Sequence, residues 1–397
     1  MDIVDKLSTA ARSIRLPNHD GSVEEFRLSP ARHFAVASSP SSKRIAFSAA
    51  HVVADPLAEV DPWIEAAVDW DRTIAYREYL WNLGLGVAEA MDTAQRGMGL
   101  DWSTSFELIK RSVAAARSRG GLVFSGAGTD QLNSSRPATL EDVVRAYEEQ
   151  IEAVEAIGGR IILMASRALA EIARGPEDYV KVYDRILEQV AQPIIIHWLG
   201  EMFDPALEGY WGAADHYRAM DTCLSVINAH SSKVDGIKIS LLSKEKEIDM
   251  RRKLPAGVRM YTGDDFNYAE LIAGDEQGHS DALLGIFDAI APAASAALNA
   301  LDRGSTNEFF DILEPTVPLS RHIFRSPTRF YKTGVVFLAY LNGHQDHFTM
   351  VGGQESARST VHLAEIFRLA DKAGLLRDPE MASHRMMSVL ATRGIEQ

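Results

Sequence analysis

Eight short runs of β-type apolar residues recur along the chain, at residues 44–48, 85–89, 121–126, 160–165, 193–197, 234–240, 258–262 and 282–287, with room for a helix between each pair. They are near-continuous in Val, Ile and Leu rather than alternating, the pattern of parallel strands buried on both faces. Helix signatures lie between them. The clearest opens at Thr139-Leu140-Glu141-Asp142, an N-cap with an acidic residue three positions on, and runs amphipathically to Ile157 before stopping at Gly158-Gly159. Others span 71–82 and 243–254. This alternation predicts an α/β fold, a (β/α)8 TIM barrel over 43–290, in preference to an open doubly wound sheet, whose first strand would lead into a Gly-rich phosphate loop. Here the first run leads into Ala49-Ala50-His51-Val52.

Two segments flank the barrel. Residues 14–28 alternate around Asn18-His19-Asp20-Gly21, whose Asp-Gly step predicts a short N-terminal hairpin. The Pro/Ser stretch Ser38-Ser39-Pro40-Ser41-Ser42 separates this lead-in, residues 1–42, from the barrel. After Phe287 the pattern turns helical, at 293–301, 305–313, 331–341, 356–373 and 381–391, which makes 291–397 a helical C-terminal extension. It either seals one face of the barrel or carries an oligomer interface.

Composition narrows the partners. A formal charge of −14 argues against binding to a phosphate backbone or to anionic lipid, both of which need clustered Lys and Arg, so neither nucleic acid nor membrane is an expected partner. The single cysteine, Cys223, rules out an intramolecular disulfide and any Cys-based zinc site. The start, Met-Asp-Ile-Val-Asp-Lys, lacks the basic and apolar parts of a signal peptide, and no apolar run reaches about 18 residues, which points to a cytoplasmic protein.

One residue breaks the strand pattern. Lys238, in Val-Asp-Gly-Ile-Lys-Ile-Ser, puts a cation into a run that a buried strand would normally keep apolar. In an apolar site the ammonium is disfavoured, the lysine pKa falls, and more free amine is present to attack a carbonyl and form a Schiff base. The alternative reading is a lysine that snorkels out at a strand end or pairs with Asp235. Active sites of such barrels are built at the C-terminal ends of the strands. Those ends are His51; then Glu89, Asp92, Thr93, Gln95 and Arg96; then Ser125, Thr129 and Asp130; then Ser166 and Arg167. Later ends give His197 and Trp198, Lys238 and Ser240, Gly263, Asp264 and Asp265, and finally Asp288. Taken singly each has a plainer reading: Asp264 as a helix cap, Thr129 as a turn residue, Arg167 as a surface cation. From this set Lys238 and His197 are the catalytic candidates. Glu89, Asp92, Thr93, Arg96, Ser125, Asp130, Ser166, Gly263 and Asp264 are the substrate-binding candidates.

Gly236-Ile237-Lys238, then Tyr261-Thr262-Gly263-Asp264-Asp265, then Gly278-His279 resemble, in order and spacing, the dihydrodipicolinate synthase and N-acetylneuraminate lyase superfamily of class I aldolases. The similarity runs from about Lys43 to Ala373-Gly374-Leu375-Leu376, and Phe330-Tyr331-Lys332 resembles that family's Pro-x-Lys helix start. More closely, the chain resembles an uncharacterised dihydrodipicolinate synthase-like branch. The resemblance implies a barrel with C-terminal helices, a Schiff base on Lys238, no cofactor, and a homodimer or homotetramer. Two departures stand out. The family's proton-relaying tyrosine on the fifth barrel strand is replaced in Pro193-Ile194-Ile195-Ile196-His197-Trp198 by His197, which either moves protons near neutral pH or is a neutral core histidine. The family's carboxylate-holding Gly-Thr-Thr-Gly-Glu loop is replaced by Ala90-Met91-Asp92-Thr93-Ala94-Gln95-Arg96, where Thr93 retains a hydroxyl, Asp92 repels a carboxylate and Arg96 attracts one.

The leading expectation is therefore a Schiff-base lyase, an aldolase or dehydratase of carbohydrate metabolism, acting on a small carbonyl compound such as a sugar-derived oxo acid or keto-sugar. Asp92, Asp130 and Asp264 would accept hydrogen bonds from its hydroxyls. The alternatives are a divalent-metal isomerase or hydrolase using Glu89, His197, His230 and Asp264, and a non-catalytic barrel that binds a metabolite.

Overall fold

The structure is a computed structural model of the chain and describes residues 13–132 and 138–397; the opening segment 1–6, where a signal peptide would begin, lies outside the described residues. Two strands, β1 (Ser13–Pro17) and β2 (Val23–Arg27), pair antiparallel across the Asp-Gly turn, with Asp20 Oδ1 accepting from the Ser22 backbone at 2.9 Å. This is the expected hairpin. Eight parallel strands come next: β3 (Ala46–Ala49), β4 (Gly86–Glu89), β5 (Val123–Ala127), β6 (Arg160–Leu163), β7 (Ile194–Leu199), β8 (Val234–Ser240), β9 (Arg259–Thr262) and β10 (Asp281–Leu284). They pair in sequence order and β10 closes on β3, so the sheet is a closed (β/α)8 barrel.

The intervening helices are α1 (Trp70–Asn82), α2 (Trp102–Arg119), α3 (Leu140–Ala156), α4 (Arg167–Ile172), α5 (Pro176–Gln189), α6 (His216–Ala229), α7 (Lys244–Lys253) and α8 (Tyr268–Ala273). Helix α3 starts on the capping box read from the sequence: Thr139 Oγ1 accepts from the Asp142 backbone and Asp142 Oδ2 accepts from the Thr139 backbone. The last apolar run departs from expectation. Strand β10 ends at Leu284, and Ile286 and Phe287 open a short helix, α9 (Ile286–Ala289), whose first backbone N–H is taken by Asp265 Oδ1 at 2.9 Å. A short apolar run has no periodicity that separates buried strand from buried helix.

Inside the barrel Phe47, Ala88, Phe124, Ile162, Ile195 and Tyr261 belong to one cluster, with the Phe47 and Phe124 rings 5.2 Å apart edge to face. This fills the lower interior and leaves the upper end to polar groups. The chain then continues as α10 (Ala291–Asp302), α11 (Thr306–Leu313), α12 (Val317–Ile323), α13 (Tyr331–Leu341), α14 (Thr360–Lys372) and α15 (Pro379–Ala391). Every residue of α13 is buried. The N-terminal hairpin packs on this layer: Phe26 meets Phe367 at 6.2 Å, and Asp371 Oδ1 accepts from the Ser29 backbone at 2.9 Å. Among the described residues no helix is long and apolar enough to cross a membrane.

Candidate active site

Strand alternation decides which side chains reach the lumen. On β8, Ile237 and Ile239 join the outer core, while a Cβ on Gly236 would strike the lumen-facing Tyr261 ring at 2.6 Å; Gly236, Lys238 and Ser240 therefore face inward. On β7, Ile195 belongs to the inner cluster, so His197 and Leu199 stand above it on the same face. His197 is the register partner of Lys238, and its Nε2 lies 3.3 Å from Ser240 Oγ. The two catalytic candidates thus sit side by side at the top of the lumen.

Lys238 is only 8% exposed, and among the described residues none accepts a hydrogen bond from its amine. Burial lowers its pKa, against the opposing pull of Asp265 and Asp92. Asp265 is pushed the other way, toward its neutral acid, by the same burial. His197 is held well below the ordinary imidazole value by burial and then by Lys238, so it is a neutral ring at physiological pH, and its Nδ1 has no partner. Gly263 makes room for this group. A Cβ there would meet Ser240 Oγ at 2.3 Å and Lys238 Cε at 2.8 Å.

Above the lumen lie two adjoining lobes, of about 420 and 390 Å³, that share Asp92, Gly97, Arg167, Leu199 and Asp204 in their linings. His197, Arg96 and Asp130 line one lobe; Tyr331 and Lys332, from the start of α13, line the other. The C-terminal segment therefore walls the mouth of the barrel. Arg96 and Asp130 are joined at 2.6 Å, and although burial raises the Asp130 pKa, Arg96 holds the carboxyl below its ordinary value. Arg96 also donates to the Gly126 carbonyl at 2.6 Å and packs over Trp102, so much of it is spent holding the β4 and β5 loops. Thr93 Oγ1 is 2.7 Å from the Tyr331 hydroxyl, which burial keeps protonated.

Of the expected substrate ligands, three are engaged elsewhere and a fourth, Ser125, faces away from the lumen. Glu89 does not face the lumen: it turns toward the helices and binds Arg77 of α1 through two contacts of 2.8 Å, with Ser112 of α2 also donating to it. Ser125 alternates with the inner-cluster residue Phe124 and likewise lies on the helix side of β5. Ser166 caps α4, accepting from Leu169 at 3.0 Å, and lies 2.6 Å from Thr129. Asp264 accepts from the Phe266 backbone at 2.8 Å and from Asn267 and closes the turn after β9. For Glu89 and Ser125 the cause is facing, since a residue's place at a strand end does not say which face it occupies; Ser166 and Asp264 lie past the strand ends and are taken up by the turns they close. His51 and Asp288 bind each other at 2.8 Å beneath Tyr76. The residues that sequence reasoning left out of the site are Asp265, Tyr331, Lys332, Arg329 and Asp204. Asp265 had a signal in the doubled acid of Gly-Asp-Asp, and Tyr331 and Lys332 had one in Phe330-Tyr331-Lys332; Arg329 and Asp204 had none.

The ligand set of the metal reading is dispersed. His230 lies at the far end of α6, at the bottom of the barrel, with its Nε2 2.9 Å from Asp184. Among the described residues no group of three or more His, Cys, Asp and Glu is arranged to hold a metal ion.

The closed barrel with its C-terminal helices has the fold of solved dihydrodipicolinate synthase structures. A prophage protein of E. coli K12 belonging to the dihydrodipicolinic acid synthase family, crystallised with pyruvate, is 12% identical with a TM-score of 0.65, over 84% of this chain and 100% of its own. A putative dihydrodipicolinate synthetase from Pseudomonas aeruginosa gives 13% and 0.63 over 84% and 100%. The dihydrodipicolinate synthase of Oceanobacillus iheyensis gives 14% and 0.58 over 77% and 88%. Residues 14–395 match the family described as "Protein of unknown function (DUF993)", and the chain belongs to that family. No curated protein matches it.

Proposed function

We propose that this protein is a class I lyase that forms a Schiff base through Lys238 with a small polyhydroxylated carbonyl compound. The observation that carries the reading is the Lys238 amine, buried on the lumen face of β8 beside a neutral imidazole and below a cavity lined by carboxylates. The free amine adds to the carbonyl carbon, the carbinolamine loses its hydroxyl as water, and the resulting iminium accepts the electron pair released when a neighbouring bond breaks. His197, neutral and with Nδ1 unpartnered, takes the proton; Asp265, held toward its acid form, supplies one to the departing hydroxyl. A relative of the same fold was crystallised with pyruvate, but here Asp92 stands in the second-strand loop beside Lys238, which disfavours a carboxylate next to the carbonyl.

The test is borohydride trapping with a panel of keto-sugars, sugar acids and 2-oxo acids, read by intact mass and peptide mapping. A substrate-sized adduct on Lys238, lost together with turnover in Lys238→Ala, is the expected result. Full turnover by Lys238→Ala would end the proposal.

A further inference from the structure

The two lobes of the mouth differ in charge. The lobe at the start of α13 is bordered by Arg167, Arg329 and Lys332 against Asp92 and Asp204, an excess of cation. The lobe over β5 and β6 is bordered by Arg96 and Arg167 against Asp92, Asp130, Glu171 and Asp204, an excess of acid. In a chain of net charge −14 a locally cationic lobe is a departure that calls for a cause.

Arg167 is paired with Asp204, and the other two cations of the first lobe, Lys332 and Arg329, are uncommitted. Lys332 is 3% exposed, yet its amine donates only to uncharged groups, the Arg329 carbonyl at 2.9 Å and Met98 Sδ at 3.1 Å. Arg329 lies at the rim with its guanidinium 4.9 Å over the Phe330 ring, and among the described residues no carboxylate pairs with it. Burial draws the Lys332 pKa down to about 8, against the pull of Asp92 and with Arg167 and Arg329 adding to the fall. A buried ammonium without a carboxylate is costly by itself and becomes favourable when an anion arrives. At Lys238 the situation is reversed: Asp92 and Asp265 already face that amine.

We propose that the substrate carries its anionic group, a phosphate or a carboxylate, remote from the reacting carbonyl, seated on Lys332 and Arg329, while its hydroxyls lie toward the carboxylates of the other lobe. The carbonyl half of this statement rests on the Schiff-base reading; the anion seat does not. The ligand class is that of a ketose phosphate or a sugar acid with a terminal carboxylate. Lobes of about 420 and 390 Å³ have the size of small-molecule sites.

Calorimetric titration with sulfate and, separately, acetate tests the seat on the 397-residue chain. Sulfate or acetate binding that weakens by about tenfold or more in Lys332→Met and in Arg329→Ala, and far less in Lys238→Ala, is expected from the loss of one charge-assisted hydrogen bond. Stronger binding of sulfate marks phosphate as the group, and stronger binding of acetate marks carboxylate. Arg329 lies at the rim, so its variant keeps the test valid should Lys332→Met fail to fold. No binding of either anion by the wild type, or equal loss in Lys238→Ala, overturns the seat. A second arm compares borohydride trapping of a ketose phosphate with that of the free ketose. A preference for the phosphate that falls in Arg329→Ala supports the proposal. Trapping on Lys238 without any preference for phosphorylated or acidic compounds overturns it and leaves the Schiff base standing. Anion binding at Lys332 with no trapping by any compound overturns the lyase reading and upholds the seat.

Discussion

Lys238 shows how much one side chain reveals when it violates its surroundings. A cation inside Val-Asp-Gly-Ile-Lys-Ile-Ser is visible without coordinates because buried strands exclude unpaired charge. The neighbours that tune it are not visible, since Asp92, Asp265 and His197 come from three other strand ends. Their combined effect has a definite sign. With the Lys238 pKa lowered by burial, the free-amine fraction grows as pH rises and passes its midpoint below the ordinary lysine value of 10.5. His197, neutral throughout that window, adds no second inflection above its own depressed value. The rate of borohydride-trapped adduct formation should therefore rise with pH to a midpoint below 10.5; a midpoint at or above that value would show an unperturbed lysine. Gly263→Ala should slow the same adduct, because its Cβ would overlap Ser240 Oγ and Lys238 Cε, and peptide mapping of trapped protein measures it.

At the scale of elements, local signals were reliable and facing was not. The Asp-Gly hairpin and the Thr139 capping box are written in neighbouring residues, and both form as read. Replacing Thr139 with Ala should cost about 1 kcal/mol in denaturant melts, the ordinary value of an N-cap. Glu89 was legible as the last residue of a strand but not as a partner of α1 and α2, because alternation along four residues fixes a face only once the register is known. Its role is to pin two helices to the barrel. Arg77 and Glu89 are both fully buried, so Arg77→Met leaves an uncompensated carboxylate and should cost about 3–5 kcal/mol, while the double variant Arg77→Met/Glu89→Leu recovers most of it. Equilibrium unfolding of the three proteins checks this. Near-additive losses would show that the pair acts independently.

Over the whole molecule, the far end of the chain completes the site. Residues 331 and 332 reach the mouth of the barrel, α13 is buried throughout, and Arg15 near one end of the chain donates its backbone N–H to Gln397 at 2.8 Å near the other. A chain ending at Asp302 would strip Tyr331 and Lys332 from the cavity and uncover the apolar side of α10, of which nine residues are buried in the 397-residue chain. It should aggregate or bind a hydrophobic dye in size-exclusion and fluorescence assays; a monodisperse, cooperatively melting product would show that the barrel stands without its C-terminal layer. The order of strands and helices, the hairpin, the capped helix and the suspect lysine could all be read from residues close together in the chain, since period, turn chemistry and capping act over a few positions. Which acids face the lysine, which turn outward to an arginine, and that a lysine 94 positions beyond Lys238 borders the same cavity depended on closure of the barrel and the return of the chain across its mouth. Those contacts join residues whose separation in sequence carries no local signal.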